Sequence, residues 1–367
     1  MGDRKLRILH TESSLGWGGQ EIRVLGEARA MRRRGHEVVL AAPPQSRIAG
    51  EAARYEVKCI PVPIAKKRFK GWLAMRQLLE VARFDVVNTH SSTDTWLAAL
   101  ACKTMAAPPP IVRTRHISSP MPSNAPSRWL YRRATRLVVT TGEKLREQVI
   151  REVGVDPARV VSVPTGIDLA VFRPGDRAAA HAALELPPDA FLIGIVATLR
   201  SWKGHSYLIE AFSALVDKGA HLAIVGDGPQ RVALELQVLE AGLASRVAFA
   251  GNVNEVEAWL HAFDVFCLPS YANEGVPQAL MQAMAVGLPV VTTPVGSITE
   301  IVTDGVSGLV VPPRDAVALR AALERLHADT ALRAKLAQEA HRVAHERFGE
   351  DRMVERMEQA FRRAIET

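Results

Sequence analysis

The chain has 367 residues, of which 48% are apolar, 23% charged and 5% aromatic, and its formal net charge is +7. That length exceeds what one core organises, so two domains are expected, and the composition is globular rather than fibrous, disordered or disulfide-stapled. The longest clean apolar runs, such as residues 191–199, are about half of what a bilayer span needs. Asp3, Arg4 and Lys5 precede an apolar stretch too short for a signal-peptide core, and Cys59, Cys102 and Cys267 are scattered without metal-ligand spacing. A cytoplasmic, reducing location is the expectation. The positive charge favours anionic partners, but no zinc-finger or RNP-like motif is present and the basic residues are dispersed, so nucleic acid is not the expected one.

In chain order, residues 6–10 read as a strand and 11–20 as a loop. A helix over 21–34 stops at Gly35, and a second strand covers 37–42, which makes a βαβ opening. The loop contains Gly18 and Gly19, which let a ligand phosphate approach the backbone. Glu21 stands where a dinucleotide fingerprint needs its third glycine, so NAD is not expected. Residues 66–72, Lys-Lys-Arg-Phe-Lys-Gly-Trp, interleave cations with aromatics, and 128–133, Arg-Trp-Leu-Tyr-Arg-Arg, repeat that composition. Such segments suit either a solvated helix start or an anionic lipid surface.

Strands are expected over 84–88 and 111–114. They lead into polar clusters holding His90 and Asp94, and Arg113, Arg115 and His116, at strand ends where ligands bind in open α/β sheets. Further strands cover 137–140 and 160–164, the latter running into Thr165-Gly166-Ile167-Asp168. Pro, Gly and Ala then collect between 172 and 186 and mark a boundary: one domain over 1–172, the other over 173–350. The second half alternates strands over 191–197, 221–225, 247–250, 265–268, 290–292 and 309–311 with helices, including one over 206–218. This implies a doubly wound parallel sheet. Helices over 316–327, 330–345 and 351–365 close the chain.

Residues 270–293 combine a loop, a helix and a strand. Pro277 is placed in the first helical turn, Leu280, Ala283 and Met284 recur at helical spacing, and Gly287 stops the helix before a short apolar strand. The exposed N–H groups of Gly275, Val276 and Gln278 suit a phosphate, and Glu274 at their mouth suits the hydroxyls of a sugar carried by it.

This stretch resembles the signature of retaining GT-B glycosyltransferases of family 4, in which two glutamates lie eight positions apart. Glu274 matches the first, and Gln282 stands at the second. Thr198-Leu-Arg200-Ser-Trp-Lys203-Gly204 resembles the family's cationic clamp: Lys203 matches its lysine, Thr198 occupies the arginine position, and Arg200 is assigned the arginine's role. Residues 164–168 resemble the segment that closes the N-terminal half, and Gly226-Asp227-Gly228-Pro229 the turn near the nucleotide. For Glu300, in Ser297-Ile-Thr-Glu300, a capping-box role is preferred over donor binding.

The resemblance implies two Rossmann-like domains facing each other across a cleft, the last helix, 351–367, crossing back to the first. His116 is the histidine that lines the donor sugar, with His90 as runner-up. Gly18, Gly19, Gly226, Asp227, Gly275, Val276, Pro277, Gln278 and Gln282 lie on the donor side; His90, Asp94, Arg113 and Arg115 lie on the acceptor side. It implies retaining transfer with no cofactor and no metal, from a UDP-, GDP- or ADP-sugar to a lipid-linked or lipopolysaccharide-type acceptor at the membrane's inner face. The sequence holds no Asp-x-Asp pair for a divalent ion. Two alternatives stay open: an epimerase or hydrolase of the same fold, which would act on donor alone, and a donor-binding protein, which would not turn it over.

Overall fold

Both halves of the chain alternate short Val-, Ile- and Leu-rich strands with helices, and a strand that returns through a helix comes back parallel to its predecessor. The computed structural model describes residues 4–253, 255–272 and 274–366. Asp3, Asn273 within the signature stretch and Thr367 at the end of the last expected helix lie outside the described residues.

The chain divides into two compact units: the residues up to Gly166 with those from Glu350 onward, and Ile167–Gly349. The first holds β1 (Arg7–Thr11), β2 (Glu37–Ala42), β3 (Lys58–Pro61), β4 (Val86–Thr89), β5 (Ile111–Arg115), β6 (Leu137–Thr140) and β7 (Val160–Ser162). They form one parallel sheet in the order β3-β2-β1-β4-β5-β6-β7. The sequence reading passed over β3, because Lys58, Cys59, Ile60 and Pro61 are only half-buried or exposed. At a sheet edge no continuous apolar run is required, and a proline is tolerated there.

The second unit holds β8 (Leu192–Val196), β9 (His221–Val225), β10 (Val247–Gly251), β11 (Val265–Leu268), β12 (Val290–Thr292) and β13 (Leu309–Val310), all parallel, in the order β10-β9-β8-β11-β12-β13. The expected doubly wound α/β architecture is therefore present in both halves. Strand order reverses between β1 and β4 and again between β8 and β11, and at such switch points the loops after the strands diverge and leave room for a ligand.

The break between units falls at Gly166 rather than after Phe172. Ile167 is fully buried in the second core, with Leu169 and Phe172 packed on it. At Gly166 a Cβ would lie 2.6 Å from the Glu350 Cα and 2.9 Å from the Met353 Cβ, so glycine is what lets the chain pass the last helix. That helix, Glu350–Glu366, lays Met353, Val354, Met357, Ala360, Phe361 and Ala364 on the face of the first sheet. Each large side chain buried there contributes roughly 1.5–3 kcal/mol.

The helix expected over 206–218 is shorter, His205–Ser213. Beyond it Lys218 caps the Ser213 and Leu215 carbonyls and Asp217 accepts from Gly219 N, local bonds that compete with further helix. Pro277 lies just outside the helix Gln278–Ala285 as its extended N-cap, and Gly287, at φ +82°, ends it as expected. Ser297 makes no side-chain cap to the short turn Ile298–Glu300, so the capping box read there does not form.

Candidate active site

In the second unit the switch point between β8 and β11 brings together two loops 71 residues apart. Lys203 ends a short 3₁₀ turn, Ser201–Lys203, and Gly204 turns the chain away at φ +77°. A Cβ on Gly204 would sit 2.1 Å from the Pro269 carbonyl oxygen, so only glycine brings this loop against the one after β11. There the Lys203 Nζ donates to the Glu274 Oε1 at 2.6 Å, and the Ser270 Oγ donates to the same oxygen at 2.6 Å. Thr293, just past β12, holds Ser270 in place by donating to its carbonyl. Gly296, at φ +58°, passes so close to Glu274 that a Cβ would lie 2.0 Å from its carbonyl oxygen.

Glu274 is thus buried and fixed from three sides, with a cation on its carboxylate. Arg200 is exposed with its guanidinium 5.8 Å from the Trp202 ring, and Thr198 precedes it in the same loop. Gly226, at φ +136°, and Gly228 pack against the Ala197 and Leu199 carbonyls, and Asp227 between them is exposed. This places the Gly-Asp-Gly turn beside the Thr198–Lys203 loop. Gly275, Val276 and Pro277 are buried ahead of the helix that carries Gln278 and the buried Gln282. Sequence reasoning missed His205, buried beside Lys203 with both ring nitrogens unpartnered among the described residues. Burial, then Lys203, pulls its pKa down to about 3.

In the first unit, β1, β4 and β5 lie side by side and each carries a histidine at its carboxyl end. The His10 Nδ1 and His90 Nε2 are 2.9 Å apart, and the His90 Nδ1 and His116 Nε2 are 3.0 Å apart. The two candidates from the sequence are therefore neighbours in one line, and His10 is a third member that the sequence reading did not single out. At the inner end His10 Nε2 lies 3.9 Å from the Glu27 Oε1, and Glu27 faces Arg23 and Asn88. Burial holds all three imidazoles well below the ordinary histidine pKa and raises Glu27 to about 7.

Glu12, one residue past β1, also escaped the sequence reading. Its carboxylate accepts from Ser14 N at 2.8 Å, from the Gln20 side chain at 2.5 Å and from the Ser91 hydroxyl. Burial and the neighbouring Asp94 raise its pKa to about 8. It ties the loop holding Gly18 and Gly19 to the end of β4; Gly18 is the extended N-cap of the helix Gly19–Arg33. The signal available was its position, a carboxylate directly after the first strand.

Two residues expected on the acceptor side have their side chains buried. Asp94 is fully buried, and its oxygens accept from the Thr11 hydroxyl, His90 N and Ser91 N at 2.7–2.9 Å. It fixes the helix start beside His90 instead of reaching outward. Arg113 is buried with its guanidinium 4.4 Å from the Tyr131 ring, because alternation along β5 turns it to the face opposite Thr114. Arg115 is half-buried and ties the segment after His116 by donating to the Ser119 carbonyl.

Residues 17–171 match the family model described as Glycosyltransferase Family 4, and residues 190–329 match that of Glycosyl transferases group 1. A D-inositol 3-phosphate glycosyltransferase of Kribbella flavida is 30% identical over 80% of this chain and 75% of its own. The enzyme of that name from Mycobacterium tuberculosis H37Ra is 30% identical over 80% and 68%. The chain belongs to glycosyltransferase family 4.

Solved structures agree on the fold. Anabaena HepE in complex with UDP has a TM-score of 0.85 at 20% identity, covering 96% of this chain and 99% of that one. A glycosyltransferase from Rickettsia africae has a TM-score of 0.87 at 18% identity, covering 98% and 99%. This chain is thus a glycosyltransferase with two parallel-sheet domains of the GT-B class.

The two basic, aromatic segments of this glycosyltransferase meet in the first unit. Arg68 precedes the helix Phe69–Ala82; Phe69 is 73% exposed and lies 5.2 Å from the Trp72 ring. Lys67 sits over Trp96, which stacks on Trp129 at 5.8 Å, and Lys103 sits over Trp129. Trp96, unremarked in the sequence, joins the two segments into one surface. Among the described residues no helix is long and apolar enough to cross a membrane, and none of the His, Cys, Asp and Glu groups forms a metal-holding cluster.

Proposed function

We propose that this glycosyltransferase moves a hexosyl or N-acetylhexosaminyl group from a nucleotide sugar to a hydroxyl of a phosphorylated or lipid-linked acceptor, with retention and without a metal ion. The Lys203–Glu274 contact carries the reading. As the C1–O bond to phosphate breaks, negative charge grows on the departing diphosphate, and a preorganised ammonium stabilises it there. The acceptor oxygen forms its bond to C1 on the same face, and its proton passes to the leaving phosphate. For this, Lys203 exchanges Glu274 for the diphosphate when the donor binds, with Arg200 as second cation. Glu274 is left to accept from sugar hydroxyls, and Gln282 offers ribose a neutral acceptor and two donors. In the first unit His116 lines the sugar site, and Gly18 and Gly19 admit the diphosphate.

The name of the 30%-identical relatives supports a phosphorylated polyol as acceptor, and the basic aromatic surface supports one at an anionic membrane, as in glycolipid or lipopolysaccharide assembly. The test incubates the protein with UDP-, GDP- and ADP-sugars, with and without inositol phosphate and lipid-linked acceptors, and reads product anomers by NMR. Retained configuration, with transfer nearly abolished by Glu274→Ala, is expected. Release of free sugar or epimer with every acceptor absent would replace this reading with a hydrolase or epimerase, and parental transfer by Glu274→Ala would make the stretch a packing element.

A further inference from the structure

We propose that His10 and Glu27 are positioning residues which, through His90, decide whether His116 presents a lone pair or an N–H at its Nδ1. The proposal rests on the reading that His116 lines the sugar site. Neighbouring strands are about 4.8 Å apart, and the strand order β1-β4-β5 sets one histidine on each, with ring centroids 5.2 Å apart at both steps. All three point to the same face: His10 is in register with Asn88, two residues before His90, and Thr114, two before His116, bonds Asn88.

Each nitrogen–nitrogen contact contains one proton, since two bare lone pairs or two N–H groups cannot face each other at about 3 Å. Burial keeps the rings neutral, so each carries a single N–H. Only two arrangements satisfy both contacts. In one, every ring is protonated at Nε2, His10 Nε2–H points at Glu27, and His116 Nδ1 is bare. In the other, every ring is protonated at Nδ1, the bare His10 Nε2 faces Glu27, and His116 Nδ1 carries the proton. At 3.9 Å Glu27 acts on His10 through its charge rather than a hydrogen bond: an ionised carboxylate stabilises the first, and once it is protonated the remaining Arg23 charge favours the bare Nε2 of the second. The choice at the sheet's outer end is thereby made at a carboxyl buried beneath its inner end, and moving between the two shifts one proton per ring without charging any.

The groups facing Glu27 are few. Its own helix supplies Arg23, whose Nε lies 3.5 Å from the Glu27 Oε2, β1 supplies His10, and β4 supplies Asn88. The last helix brings Phe361 against His10 and Met357 against Arg23, neither ionisable. Arg23 is itself held by the Val163 carbonyl and the Thr165 hydroxyl, so its charge is fixed in place when Glu27 changes.

The experiment records the nitrogen NMR signals of isotope-labelled histidines in the whole, ligand-free protein as pH is raised. In the unmodified chain His116 is expected to pass from Nδ1–H below to Nε2–H above a midpoint near pH 7, where burial places Glu27, with His90 and His10 moving together. Glu27→Gln, which carries no charge at any pH and leaves only that of Arg23 beside His10, should hold His116 as Nδ1–H throughout. A His116 tautomer that does not change with pH in the unmodified protein, or one that changes without His90, overturns the proposal even if Glu27→Gln fails to fold. His116→Ala separates this from the reading beneath it: that variant should lose turnover about a hundredfold, the scale of a positioned catalytic group. Full turnover there would overturn the role of His116, whatever the tautomers do.

Discussion

Gly296→Ala tests whether the tight seat of Glu274 matters. Gly296 adopts φ +58°, and an added Cβ would meet the Glu274 carbonyl oxygen at 2.0 Å and the Glu274 Cβ at 3.1 Å. The backbone of one loop or the other must then shift by about an ångström, and the Lys203 contact, at 2.6 Å, shifts with it. Gly305 is the matched control: its φ is +69°, and nothing lies within 4 Å of its built Cβ. Gly305→Ala therefore bears only the left-handed backbone penalty, about 1–2 kcal/mol, or roughly 2–8 °C in Tm for a unit of this size. Gly296→Ala bears that penalty and the collision, so it should melt lower than Gly305→Ala and lose transfer activity while Gly305→Ala keeps it. Calorimetry of both variants beside a donor-consumption assay decides. Equal melting temperatures, or parental activity in Gly296→Ala, would show that the loop moves aside at no cost and that the position of Glu274 is not critical.

Gln282→Glu should retain transfer and act mainly on donor KM, since an amide already supplies the ribose with an acceptor; steady-state kinetics that show a collapse of kcat instead would give Gln282 another role. Neutralising Lys66, Lys67, Arg68 and Lys70 together should weaken sedimentation with anionic liposomes, and the unmodified protein should release them as salt rises, because exposed charges are screened over about 10 Å at 0.1 M. Salt-insensitive binding, unchanged in the variant, would reduce the surface to a solvated face. Glu12, whose pKa is raised by burial from the ordinary 4.5 to about 8, contributes stability that is complete below about pH 4.5 and lost as pH rises through 8. Thermal unfolding followed between pH 5 and 8.5 should show Tm falling with pH and a shallower fall in Glu12→Gln; an equal slope in both would assign the effect to Asp94 and Glu27.

Local chemistry determined a good deal by itself. Gly287 ends its helix because only a residue at ease with positive φ can turn the chain there, and the short apolar runs of β1, β8 and β11 became buried parallel strands because nothing else suits them. Lys203 and Glu274 were each legible as functional residues from the loops they occupy. That they touch was not legible, for it needs β8 and β11 to be neighbours across a switch in strand order. The line His10–His90–His116 was hidden for the same reason: residues 80 and 26 positions apart become hydrogen-bonded only once β1, β4 and β5 lie side by side. Asp94 and Arg113 show the converse, since polar residues near a strand end look available in sequence, and only packing reveals which of them the neighbouring helices have covered. Spacing along a chain fixes which face a side chain takes, whereas the order of strands, set by how the whole sheet buries its two faces, fixes what that side chain meets.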